Sequence, residues 1–182
     1  REHGWGVDMA GFEAEMARQR EQARAHSKFA GSAMLPADLV AMLSPTRFLG
    51  YEQTAAEGVR VLAVVRDGAP LVSLSAGEKG SVILDATPFY AESGGQVGDT
   101  GELTAAGVLF KVEDTQKLSG SYFGHAGTLM AGSIRVGDVL DARIDTARRQ
   151  AIVLNHSATH LLHAVLREVL GTHVTQKGSL VA

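Results

Sequence analysis

The chain has 182 residues, of which 45% are hydrophobic, enough for a packed core in one ordinary domain or two small ones. Its formal net charge of −3 excludes a global basic field that would hold RNA or DNA without help, but not a module that a larger protein positions on RNA. Because cysteine is absent, disulfides are excluded, and a tetrahedral zinc site would need histidine, carboxylate or external ligands. No apolar run approaches the roughly 20 residues of a membrane span.

The first predicted element is a helix from about Met9 to about His26, with Asp8 as its cap. Its second half is polar on all sides, which is typical of a helix that is solvated or that bridges two bodies. Its basic residues could alternatively contact RNA phosphates. A connector with one short helical piece, Asp38 to Leu43, is predicted over residues 32–46.

Short strands with glycine-rich turns between them are predicted for the middle of the chain. They cover residues 59–66, 71–74, 81–85, 107–114, 122–130 and 138–145. Asp67-Gly68 is a hairpin signal, and the segment from Gly127 to Leu129 is predicted to pair with the segment from Ile134 to Val139. The pattern indicates a small β-barrel, in which closure removes free strand edges.

A glycine-rich stretch, FYAESGGQVGDTG, lies inside this region at residues 89–101. Four glycines in eight residues permit positive φ and close approach of the backbone. The stretch is neither a Walker A loop nor a dinucleotide fingerprint. Two interpretations remain: a tight corner of the barrel, or a loop whose backbone lies against a substrate or a neighbouring site.

Next, a helix capped by Asp145 and Thr146 is predicted from Ala147 to about Leu154. Asn155 and Ser157 disfavour helix interiors, so we expect an interruption or a new cap there. A second helical run extends to Leu170 and is stopped by Gly171. A strand is predicted over residues 172–181.

A histidine pair, His156 and His160, opens that second run. At 100° per residue one stripe of the helix carries polar residues, namely His156, His160, His163 and Arg167. The opposite stripe is apolar and suits a core: Ala158, Leu162, Val165 and Val169. Histidines at i and i+4 can reach one metal ion, or they can be ordinary residues of a polar surface. A zincin protease is excluded, because Ser157 replaces the glutamate that follows the first histidine.

Three stretches together resemble bacterial alanyl-tRNA synthetases. They are FYAESGGQVGDTG at 89–101, NHSATHLLHAVLREVLGTHVTQKGSLV at 155–181 and, more loosely, GFEAEMARQREQAR at 11–24. The first two are shared with free-standing alanyl-tRNA editing proteins, whereas the leading helix favours the synthetases. The chain begins without methionine and stops within a predicted strand, so we expect an internal fragment.

The resemblance implies an α+β, mainly β fold. Residues 1–45 would be the helical tail of the tRNA-recognition region with a connector, residues 46–145 a small β-barrel similar to those of translation elongation factors, and residues 146–182 the truncated start of an editing domain. The parent would be a cytoplasmic alanine–tRNA ligase that uses ATP and Mg, at a site outside this chain, to join alanine to its tRNA. Its editing domain would hydrolyse tRNA for alanine that carries serine or glycine.

The resemblance also assigns site residues. His156 and His160 match the first two zinc ligands, and Thr159 and Gln176 match positions of the editing pocket. Gly94, Gly95 and Gln96 match the glycine-rich motif that faces the editing site. The family's second ligand pair, Cys-x-x-x-His, is absent, so no catalytic site is complete here. We expect the isolated chain to be inactive and to hold zinc weakly.

Two alternatives remain: a non-catalytic β-barrel linker that contacts tRNA, and a free-standing alanyl-tRNA editing protein. In either case the apolar stripe of the histidine helix needs cover. We expect it to pack on the barrel, to associate with a second copy of the chain, or to be poorly ordered.

Overall fold

The structure is a computed structural model that describes residue 11, residues 35–176 and residues 180–181. The predicted amino-terminal helix, apart from Gly11, lies outside the described residues, as do residues 177–179. The described elements are, in chain order, α1 (Ala37–Met42), β1 (Arg47–Phe48), β2 (Ala55–Arg66), β3 (Ala69–Leu71), β4 (Ser73–Ser75), β5 (Lys79–Leu84), β6 (Ala86–Thr87), β7 (Gly101–Ala105), β8 (Val108–Leu118), β9 (Tyr122–Ala131), β10 (Ser133–Arg135), β11 (Val139–Ile144) and α2 (Thr146–Leu170).

Six strands close into a barrel, in the order β11-β7-β8-β9-β5-β2. The closing pair is antiparallel, with Leu140 of β11 opposite Val59 of β2. The predicted mainly β architecture with a small barrel and flanking helices is therefore confirmed. Closure protects the strand edges by pairing each of the six strands on both sides.

The predicted hairpin at Asp67-Gly68 is confirmed. Asp67 has φ 52° and Gly68 has φ 80°, so both central residues adopt the left-handed conformation that a type I′ turn requires. The turn joins β2 to β3, and Arg66 lies opposite Ala69.

The barrel interior is filled by aliphatic and aromatic side chains that alternate along the strands with exposed polar ones. Its fully buried members include Val64, Leu74, Val82, Leu84, Leu103, Phe110 and Leu129. A second apolar cluster lies outside the barrel wall, where α1 covers residues such as Ile83 and Leu118. The Tyr122 hydroxyl donates to the carbonyl groups of Val40 at 3.1 Å and Leu43 at 3.0 Å, which holds α1 against this cluster.

One predicted strand pair is wrong. The segment from Gly127 to Leu129 belongs to β9, which pairs with β5 and β8. The segment from Ile134 to Val139 instead divides between β10, which pairs with β4, and the start of β11, which pairs with β2. Alternation of polar and apolar residues marks extended segments, but it does not determine which edge each one meets.

The predicted interruption at Asn155 and Ser157 is also wrong, because α2 runs unbroken for 25 residues. Asp145 caps it as predicted, with its carboxylate accepting a 2.9 Å hydrogen bond from the Arg148 backbone N–H. The Ser157 hydroxyl donates to the carbonyl of Val153 one turn back, at 3.1 Å, so this polar group is satisfied inside the helix.

The strand predicted over residues 172–181 is not formed in its described part. Residues 172–176 are turn and irregular backbone, and Val181 makes a single parallel bridge to Gln96. In the part of the chain that the structure describes, no helix is both long and apolar enough to cross a membrane.

Candidate functional site

Arg149, in the first turn of α2, joins that helix to the glycine-rich stretch. Its guanidinium forms two hydrogen bonds with the Asp99 carboxylate, of which the one from Nε to Oδ1 is 3.1 Å. The side chains are 18% and 4% exposed, so this is a largely buried, two-pronged ion pair. Arg149 also donates to the carbonyls of Gly50 and Pro88, each at 2.9 Å. The start of α2 is therefore held at a fixed place on the barrel.

The same joint is reinforced by neighbouring residues. Arg148 donates to the Gly98 carbonyl at 2.8 Å, and the Asp145 N–H donates to the Thr100 carbonyl at 2.8 Å. Positively charged residues are disfavoured in the first turn of a helix, because the dipole is positive there. Two adjacent arginines at that place were thus a sequence signal for a specific partner, which the sequence analysis did not use.

The glycine-rich stretch makes a tight turn whose backbone meets the end of the described chain. Gly94 and Gly95 have φ of 61° and 86°, and Ser93 and Gln96 exchange two backbone hydrogen bonds across them. The Val181 N–H donates to the Gly95 carbonyl at 2.9 Å. The stretch is therefore both a tight turn and a surface against which another segment lies.

A cleft of about 420 Å³ separates α2 from this last segment. Asn155, Ala158, Thr159 and Leu162 line its helix side, and Leu180 and Val181 line the other. Thr159 is half-buried there, and its hydroxyl donates to the Asn155 carbonyl at 2.9 Å. The structure thus brings Thr159 to a cleft whose far wall bonds to the Gly95 turn. Gln176 is exposed and is not among the residues that line this cleft.

The two histidines of the predicted metal pair face each other on the exposed surface of α2. Their Nε2 atoms lie 3.0 Å apart, and their ring centroids are separated by 4.8 Å. Two nitrogen ligands of one tetrahedral zinc ion, each at about 2.0–2.1 Å, would lie about 3.3–3.4 Å apart. A small rotation of either ring would make this fit, so His156 and His160 suit a shared metal ion. The same contact also suits a hydrogen bond between neutral rings.

No third ligand joins the pair within the described ranges, where no group of three or more histidine, cysteine, aspartate or glutamate side chains could hold a metal ion. His163, one turn further on, has its Nε2 atom buried without a hydrogen-bond partner among the described residues. The chain therefore offers two metal ligands from the residues described.

The apolar stripe of α2 is exposed, so of the three outcomes expected for it, packing on the barrel does not occur. Leu162, Val165 and Val169 are all exposed, and Ile152 is the single buried residue of the helix. Arg149, which bonds to Asp99 and to the Gly50 and Pro88 carbonyls, and the buried Ile152 share their sector of the helix with His156 and His160 at 100° per residue. The side of the helix that docks through Arg149 thus continues into the histidines, which are themselves exposed. The apolar stripe that was predicted to suit a core lies on the opposite side of the helix and is exposed.

A buried histidine that the sequence analysis missed supports the start of the glycine-rich stretch. His125 is fully buried in β9, where its Nδ1 lies 2.8 Å from the Val82 carbonyl and its Nε2 lies 2.7 Å from the Thr87 hydroxyl. That hydroxyl also accepts from the Phe89 N–H at 3.1 Å. Burial lowers the pKa of His125 to about 4, so the ring is neutral, donates from Nδ1 and accepts at Nε2.

The chain thus has a closed barrel that a buried ion pair joins to a helix with paired histidines. Comparisons with known proteins identify its family. The chain belongs to the family of class II (A) tRNA synthetases, whose sequence profile matches residues 1–148.

Within that family its curated relatives are alanine–tRNA ligases, which confirms the resemblance seen in the sequence. Over all 182 residues the chain is 61% identical to the alanine–tRNA ligase of Stenotrophomonas maltophilia (strain K279a) and 59% identical to that of Xanthomonas axonopodis pv. citri (strain 306). It is 57% identical to the alanine–tRNA ligase of Xanthomonas campestris pv. campestris (strain 8004). In each case it spans 21% of the relative's length.

Proposed function

We propose that the chain is part of an alanine–tRNA ligase that joins alanine to its tRNA with ATP and Mg in the cytoplasm, and that it carries the first half of a zinc-containing editing site. The identity to alanine–tRNA ligases over all 182 residues of the chain supports the first part. In this proposal residues 1–45 end the tRNA-recognition region, residues 46–145 form the linking barrel, and residues 146–182 open the editing domain.

The observation that carries the editing proposal is the 3.0 Å separation of the His156 and His160 Nε2 atoms beside the Thr159 cleft. These rings would hold zinc together with ligands from outside the described residues. When bound, zinc would polarise the ester carbonyl or anchor the amine or hydroxyl of the substrate.

A hydrolytic site is needed because serine and glycine differ from alanine by one small group. An apolar pocket discriminates such differences by only about 10–200-fold, so a ligase benefits from a second site that removes the wrong product. The Thr159 hydroxyl donates to Asn155 and keeps its oxygen lone pairs for another donor, such as the serine hydroxyl. In the proposal Gln176 supplies a second polar contact, and Gly94, Gly95 and Gln96 form the wall behind Val181.

Deacylation tests this proposal. A full-length protein that contains the chain should hydrolyse Ser-tRNA for alanine, and replacing both His156 and His160 with alanine should abolish the reaction. Thr159→Val, which keeps the shape and removes the hydroxyl, should reduce discrimination between Ser-tRNA and Ala-tRNA. The matched control is His173→Ala, an exposed histidine outside the cleft. Undiminished hydrolysis in the double variant would contradict the proposal.

For the isolated chain a non-catalytic role is favoured, because the described residues offer two metal ligands and no group of three or more. The chain alone should then show no deacylation, and any tRNA binding should weaken steeply with salt as phosphate contacts are screened. Ser-tRNA hydrolysis well above background by the isolated chain would contradict this. The family match over residues 1–148 favours a synthetase over a free-standing editing protein.

A further inference from the structure

Four aromatic side chains, of which Phe123 is buried and Tyr51 exposed, form a cluster beside the glycine-rich turn. Phe48 stacks on Phe123 with ring centroids 5.4 Å apart and planes within 8° of parallel. Tyr90 meets Phe48 edge-on at 6.4 Å, and Tyr51 meets it edge-on at 4.9 Å. Tyr51 is 89% exposed, the highest value for any large hydrophobic side chain in the described part of the chain. Because Tyr51 touches the cluster through an edge-to-face contact, its own ring remains open to solvent.

The exposed ring is carried on a turn that the structure holds tightly. The Leu49 N–H donates a hydrogen bond to the Thr87 carbonyl at 2.8 Å, and the Leu49 carbonyl accepts from the N–H groups of Glu52 and Gln53. The carbonyl of Gly50 accepts from Arg149 at 2.9 Å. A Cβ atom at Gly50 would collide with the Phe48 ring and with the Pro88 carbonyl, so the close approach needs glycine. An exposed aromatic ring on so constrained a turn is preorganised for contact with a partner.

A positive charge lies at the opposite side of the same cluster. The Lys117 ammonium is 5.9 Å from the centroid of the Phe123 ring. Lys117 also lines a cleft of about 220 Å³ with Gly94 and Gly95, together with Glu92, Ser93 and Gln116. Tyr90 reaches the same turn, with its hydroxyl 3.5 Å from the Ser93 carbonyl. The aromatic cluster therefore continues directly into the glycine-rich turn.

We propose that Tyr51, backed by Phe48 and Phe123, is a stacking platform for an unpaired RNA base at the single-stranded 3′ end of a tRNA, with Lys117 at the far side of the same cluster. An open aromatic ring with a lysine in the same cluster suits a single strand, since every base has a face to stack and every nucleotide a phosphate to pair. The location next to the Gly94–Gly95 turn would guide the aminoacylated end towards the cleft. The identity of the RNA rests on the proposed function.

The test uses two RNA hairpins that share one stem, one ending in four unpaired nucleotides and one blunt. Binding to the chain is measured by fluorescence polarisation. Tyr51→Ala should weaken binding of the overhang hairpin by about 5- to 150-fold, the range expected for one lost stacking contact, and should leave the blunt hairpin unchanged. Tyr51→Trp should preserve the affinity. Val72→Ala, which alters another highly exposed apolar residue outside the cluster, is the control.

Equal Kd values for wild type and Tyr51→Ala, an equal loss on both hairpins, or no binding of the overhang hairpin by the wild type would overturn the platform. The unfolding midpoint should be unchanged, because Tyr51 is exposed. The outcomes separate the two proposals. If a full-length protein that contains the chain hydrolyses Ser-tRNA but Tyr51→Ala leaves overhang binding unchanged, the platform alone fails. If overhang binding depends on Tyr51 and no Ser-tRNA hydrolysis occurs, the editing proposal alone fails.

Discussion

Replacing Arg149 with alanine should destabilise the protein more than any ordinary surface substitution. The change removes a buried ion pair with Asp99 and the hydrogen bonds to the carbonyls of Gly50 and Pro88. The Asp99 carboxylate, 4% exposed, would lose its positive partner and keep a 2.7 Å hydrogen bond from the Tyr90 N–H. Removing one member of such a pair costs about 3–5 kcal/mol, a large share of the ~5–15 kcal/mol that stabilises a typical domain.

Urea unfolding followed by circular dichroism measures this cost. With a slope of about 2 kcal/mol per M, the midpoint should fall by about 2 M. Arg149→Lys should recover little, because an ammonium cannot reproduce the two-pronged contact. Arg66→Ala is the matched control, since its ion pair with Glu78 is 39% exposed on both sides and its loss should cost far less. If Arg149→Ala cost no more than Arg66→Ala, the joint between helix and barrel would not depend on this pair.

The remaining predictions concern pH, backbone packing and self-association. Burial lowers the pKa of His125 from 6.5 to about 4, so the stability that depends on its neutral ring is complete above pH 6.5. That stability should be lost as the pH falls towards 4, by up to about 3 kcal/mol. His125→Gln should flatten the pH dependence of unfolding in that range, and an unchanged slope would contradict the assignment. Gly98→Ala should cost about 3 kcal/mol, because its Cβ would collide with the backbone carbonyl of the neighbouring strand. Gly94→Ala, whose Cβ would face open space, should cost only the strain of its positive φ, about 1–2 kcal/mol. Equal costs in thermal unfolding would count against the packing argument. The exposed stripe on α2 should drive self-association, so Leu162→Glu combined with Val169→Glu should shift the sedimentation coefficient towards the monomer; a wild type that is already monomeric at high concentration would refute this.

The barrel was predictable because its signals are local. Alternating strands and the Asp67-Gly68 turn can each be recognised within a few residues, and both are present in the structure. The partner of the segment from Ile134 to Val139 was not predictable, because pairing depends on distant edges. The unbroken course of α2 was also missed, since the sequence does not show that the Ser157 hydroxyl bonds inside the helix.

The candidate site likewise combines features that the sequence predicts with features that it does not. The spacing of His156 and His160 predicts their proximity, which the 3.0 Å separation of their Nε2 atoms confirms. The pair of Asp99 and Arg149 is separated by 50 residues and has no local pattern. Periodicity correctly separated the two stripes of α2, but it could not indicate which stripe docks on the barrel. That is decided by Arg149, which docks the side of the helix that continues, further along, into the exposed histidines.

Zinc content is the most direct measure of the central claim that His156 and His160 belong to one metal site. Elemental analysis would compare a full-length protein that contains this chain with its His156→Ala, His160→Ala double variant, and with His173→Ala as the control. The account predicts about one zinc per chain in the wild type and in the control, and loss of zinc from the double variant. Full retention of zinc in the double variant would contradict it.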